Sequence, residues 1–166
     1  MNPQSNPNRF VSARVLRDVA KAMLPFYVAI ASSKVYATRW SKAVVTVNGM
    51  EMMRLFRLTS PFAKNPLPGT FKSGYNVFFE FKGPINIYGS ETSIPPGTLK
   101  LIPQETKAHQ AIARAVIPLY KTLTFNTAFA QVLAKAIRRG DTQAVTFLVR
   151  GLVKTPQLRS VKIQGS

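Results

Sequence analysis

The chain has 166 residues, 46% of them apolar and 10% aromatic, with 23 Lys and Arg against six Asp and Glu for a net charge of +17. That apolar content fills a hydrophobic core and excludes a disordered basic tail, while the absence of cysteine excludes a disulfide framework and a thiolate metal site. A single histidine, His109, likewise excludes a histidine metal cluster, and no cofactor is expected.

Scarce acids set the charge as much as abundant bases do, because only 17% of residues are charged at all. A surface of one sign repels itself, which points to a polyanionic partner that neutralises it. Residues 1–58 carry nine bases and two acids, 59–104 four and two, and 105–166 ten and two, so the positive surface belongs to the two ends of the chain.

Residues 1–8 are polar and proline-containing, and read as an arm preceding a single domain over 9–166. Val15, Leu16, Val19, Ala20 and Met23 then fall on one side of a helix and Arg14, Arg17 and Lys21 on another, with Pro25 expected to end it. The apolar run Ala22–Ala31 after these bases has the outline of a secretory signal, but its basic region is long and Pro25 interrupts it. It is also about half the length a membrane span requires, so no transmembrane helix is expected, and a cytoplasmic or virion location is favoured over secretion.

Lys34 to Lys42 reads as a strand with Lys34, Tyr36, Thr38, Trp40 and Lys42 on one face and Arg39 beside them. Rings for bases and cations for phosphates make that face a stacking platform for unpaired nucleotides. Asn48-Gly49 between Val44–Val47 and Met50–Leu58 predicts a hairpin. After a loop over 60–69 with three prolines, Tyr75, Val77, Phe79 and Phe81 share one face of a strand, with Asn76, Phe78, Glu80 and Lys82 on the other. Ile85–Tyr88 reads as one more short strand, and 89–103 as a proline-rich loop.

A helix is expected from Lys107 to Tyr120, kinked or ended near Ile117 by Pro118. Asn126 or Thr127 caps a further helix with Phe129, Val132, Leu133, Ala136 and Ile137 inward, Lys135, Arg138 and Arg139 near its end, and Gly140 as the stop. Asp141 caps a last helix with Val145, Leu148, Val149 and Leu152 inward, with Arg150 and Lys154 at its end; the tail 158–163 alternates imperfectly and forms a candidate final strand. This helix pair is not a DNA-reading helix-turn-helix, because the second helix is too apolar and reads as a core helix. The fold class is therefore α+β: a basic N-terminal helix, an antiparallel sheet of four to six strands, and two or three C-terminal helices.

Arg14, Arg17, Lys21, Lys135, Arg138, Arg139, Arg150 and Lys154 lack interleaved acids and are the expected contacts to a nucleic-acid backbone, together with Lys34, Tyr36, Arg39, Trp40 and Lys42. The function expected is non-enzymatic polyanion binding, with a self-assembling virion or coat subunit as the alternative. Glu80-Phe81-Lys82 on a strand after a hairpin containing Glu51 resembles the Glu-x-Lys of restriction-endonuclease-like enzymes. The resemblance implies a Mg²⁺-dependent nuclease using Glu51, Glu80 and Lys82, although the family's upstream Pro-Asp is missing and His109, alone on a helix, supplies no obvious base.

Overall fold

A computed structural model describes residues 7–93, 105–156, 158 and 160–163. These form a 3-10 turn at Pro7–Phe10, helices α1 (Ala13–Ser32), α2 (Lys34–Val45) and α3 (Gly49–Thr59), strands β1 (Leu67–Phe71), β2 (Gly74–Glu80) and β3 (Ile87–Ser93), then helices α4 (Thr106–Phe125), α5 (Thr127–Arg138) and α6 (Thr142–Arg150). The class is α+β, with an antiparallel sheet of three strands in the order β1-β2-β3 rather than four to six. Residues 1–6 of the polar arm and 94–103 of the proline-rich loop lie outside the described residues, and the described part of the tail forms no strand.

The missing strands are helices. Residues 34–42 belong to α2, started by Ser33, whose Oγ accepts from the Tyr36 amide at 3.1 Å. The buried positions Ala37, Trp40, Ser41 and Val44 recur at helical spacing, which overrides the β preference of the intervening Val, Thr and aromatic residues. Asn48-Gly49 is likewise a helix start and not a hairpin: Asn48 Oδ1 accepts from the Glu51 amide at 3.1 Å, at the Asn-x-x-Glu spacing of a capping box.

Two helices run through an internal proline. Pro25 does not end α1, and Pro118 does not end α4. An interior proline costs about 3 kcal/mol. Beyond Pro25, Phe26, Tyr27 and Ile30 are all fully or almost fully buried, and each contributes roughly 1.5–3 kcal/mol, so packing prevails over the local penalty. α1 and α4 are antiparallel neighbours: Gln110 Nε2 donates to the Ile30 carbonyl, and Leu123 packs with Ala20. That register sets Pro25 and Pro118 at matching levels of the pair.

Phe26 is the hub of the larger core, with ring centroids of Trp40 at 4.6 Å, Phe56 at 5.4 Å, Tyr27 at 5.5 Å and Tyr75 at 5.9 Å. From the sheet this core receives Tyr75, Val77 and Phe79, the inward face expected for β2, whereas Phe81 lies past the strand and is half-buried. Beneath it, Tyr27 Oη lies 2.9 Å from both Ser90 Oγ and Thr92 Oγ1, and Ser90 Oγ 2.7 Å from Tyr120 Oη, which ties the middle of α1 to β3 and α4. The outward sheet face carries Phe78 between Leu67 and Gly89, with Glu80 opposite Ile87 and Glu91 opposite Asn76. The ring of Phe78 lies over Gly89, where a Cβ would meet it at 2.3 Å. A second core joins Ala20, Leu123, Ala130, Leu133, Ala136 and Val145. α6 turns Val145 into this second core, with Ala144, Leu148 and Val149 packed against it on the inward face expected, while Phe147 is exposed on the other side.

Candidate functional site

Ser12 starts α1 by accepting from the Val15 amide at 3.2 Å, which fixes the phase of the helix and places Arg14, Arg17 and Lys21 on one side. These three side chains line a cleft of about 340 Å³ with Ala13, Asp18, Thr124 and Thr127. One carboxylate faces three cations: Asp18 Oδ2 lies 3.7 Å from Arg14 Nε, a solvent-exposed pair. Arg17 is half-buried, and its Nε is out of solvent with no hydrogen-bond partner. Lys21 Nζ also stands 5.8 Å from the centroid of the exposed Phe62 ring.

The opposite wall is the junction of α4 and α5. Thr124 Oγ1 is turned back to donate to the Tyr120 carbonyl at 2.8 Å, which leaves Thr127 as the hydroxyl donor of the cleft. Asn126 caps α5 by accepting from the Phe129 amide at 2.9 Å, so Thr127 stands at the first position of the helix, where the dipole is positive and the first amides have no intrahelical acceptor. Three cations, one hydroxyl and a helix N-terminus thus surround one concavity, a combination suited to phosphate oxygens. Arg14, Arg17 and Lys21 were legible as a helix face, and Asn126 as a cap. That the cap meets that face is a product of the α1–α4–α5 packing, and no local signal marks Asp18, Thr124 or Thr127 as cleft residues.

The stacking platform does not form. Trp40 is fully buried against Phe26 and Tyr75, and Tyr36 is half-buried with its hydroxyl donating to the Leu55 carbonyl at 2.6 Å. Burial pushes the Tyr36 phenol up to about 12. Lys34, Arg39 and Lys42 remain exposed on α2, separated from those rings by the turn of the helix.

At the other end of α5, Arg138 is exposed, with Nη1 donating to the Val11 carbonyl at 2.8 Å beside the entry to α1. Lys135, Arg139, Arg150 and Lys154 are exposed on α5, α6 and the segment after it, and none of them lines the cleft.

Glu51, Glu80 and Lys82 are not arranged as the nuclease resemblance implied. Glu51 lies on α3, where Arg54 donates to both of its oxygens at 2.7 Å and holds its carboxyl below the usual range, while Glu80 ends β2 and accepts from Asn65 at 3.1 Å. Among the described residues there is no group of three or more His, Asp or Glu side chains able to hold a metal ion. No protein-family model, curated protein or solved structure shows significant similarity to the chain.

Proposed function

We propose that the chain binds the phosphate backbone of nucleic acid, seating a phosphate in the α1–α5 cleft and drawing the neighbouring strand along the exposed cations. The observation that carries this reading is the convergence of Arg14, Arg17 and Lys21 on a concavity that also holds Thr127 at the start of α5. With Trp40 and Tyr36 packed inside, recognition rests on charge and shape, so base sequence is of little consequence. The test is a salt titration of binding to a short duplex. Affinity falls steeply with salt, and Arg14→Gln/Arg17→Gln/Lys21→Gln weakens binding equally on unrelated sequences while reducing the slope of log K against log salt by roughly three. A flat titration, or no binding at low salt, sinks the reading.

A second reading, a self-assembling subunit, draws support from the outward sheet face. Phe78, Leu67 and Ile87 are exposed there beside Glu80 and Glu91, which complement the cationic helices of a second copy. Native mass spectrometry decides it: an oligomer abolished by Glu80→Lys/Glu91→Lys supports assembly, and a strict monomer at all concentrations removes it.

A further inference from the structure

α2 and α3 meet at a corner whose exposed side chains are apolar. Met50 is 88% exposed, Val47 71% and Val45 59%, and none of them enters either core. Single exposed apolar residues are ordinary on protein surfaces, but these three fall within six residues of one corner.

The backbone makes the choice of residue more telling. Val47 has φ +53°, the left-handed region that favours glycine or asparagine, and the equivalent position after α5 is Gly140 at φ +65°. A β-branched side chain in this conformation is strained, and at Val47 no packing offsets the strain because the side chain points into solvent. The corner therefore keeps an apolar group where local energetics would replace it.

Cations surround the projection. Lys42 lies one turn before Val45 on the exposed side of α2, Arg39 one turn before that, and Arg54 one turn after Met50 on α3. The acid of this corner, Glu51, is engaged by Arg54 at 2.7 Å. An apolar point inside a cationic collar fits a boundary between water and anionic lipid, where methyl and thioether groups enter the acyl layer and Lys and Arg stay with the headgroups. Among the described residues no helix is long and apolar enough to cross a membrane, so the contact is attachment at the surface.

We propose that the α2–α3 corner inserts Val45, Val47 and Met50 into the surface of an anionic lipid bilayer, with Arg39 and Lys42 at the headgroups. This does not depend on the nucleic-acid reading: Arg39 and Lys42 are exposed cations in both, but the inserting residues Val45, Val47 and Met50 belong neither to the cleft nor to those cations. The chain has no cysteine, so Met50→Cys carries a single environment-sensitive fluorophore. Its emission shifts to the blue on vesicles of phosphatidylcholine mixed with phosphatidylglycerol, and stays unchanged with phosphatidylcholine alone or with duplex DNA. Val47→Asn/Met50→Asn, in which asparagine suits the backbone, partitions about tenfold more weakly onto the anionic vesicles while its DNA affinity is unchanged. The single Met50→Asn, at the most exposed position, gives an intermediate loss without touching the turn. The proposal is overturned by absence of the shift, by equal vesicle binding of wild type and double variant, or by a lipid-independent shift that grows with protein concentration, the mark of self-association.

Discussion

His109 lies between α2 and β2, with Nδ1 2.9 Å from Ser41 Oγ and its ring edge-on to Tyr75 at 5.1 Å. It is 2% exposed, and its Nε2 has no hydrogen-bond partner, so a proton there would be buried without a counter-charge. Burial brings its pKa down from 6.5 to about 4. The unfolded chain therefore takes up a proton near pH 6.5 and the folded chain only near pH 4. Stability associated with His109 is complete above pH 6.5 and declines as the pH falls, by about 3 kcal/mol on reaching pH 4. Urea denaturation followed between pH 7 and pH 4 checks this, and His109→Phe should flatten that part of the profile. Trp40, the only tryptophan, is a suitable reporter because it is fully buried when folded. The phenols of Tyr27, Tyr75 and Tyr120 are shifted the other way, raised by burial, so the same core also loses stability as the pH climbs past 10.

Two helix corners in the chain are built alike, and the difference between them is one side chain. After α2, the Val47 amide donates to Val44 and the Asn48 amide to Ala43; after α5, Gly140 donates to Ile137 and Asp141 to Ala136. Both are Schellman caps followed at once by an N-cap, Asn48 in one and Asp141 in the other. A left-handed residue with a Cβ costs about 1–2 kcal/mol. Val47→Asn is therefore expected to raise the unfolding free energy by about 1 kcal/mol, and Gly140→Val to lower it by about 1–2 kcal/mol, both measurable by urea denaturation. The comparison also shows what was legible in the sequence. Arg139-Gly140-Asp141 carries glycine where the cap needs it and was readable, as was the inward alternation Tyr75, Val77, Phe79. Val47-Asn48-Gly49 has its glycine two residues late for a cap and in register for a hairpin, so local preference pointed to strands where helical burial of Trp40 and Val44 prevailed.

Across the whole molecule, the acids explain the charge better than the bases do. Asp141 caps α6, Glu51 binds Arg54, Asp18 stands by Arg14, and Glu80 accepts from Asn65. Each has a local task, and the cations around them carry the long-range field. The sign and size of that field were readable from composition. That Arg14, Arg17 and Lys21 line a cleft was not, because the cleft depends on how α1, α4 and α5 pack together, which is set by the second core and not by any run of charges.

The two prolines in the α1–α4 pair have a mechanical consequence. Each removes one rung of backbone hydrogen bonding, and because they stand at matching heights the two losses fall on a single crease. The larger core closes over that crease from both sides, with Ala22 and Met23 before Pro25 and Phe26 and Tyr27 after it, and with Ile117 and Tyr120 on either side of Pro118. Side-chain packing therefore takes over, at that one height, the work of the two missing backbone bonds.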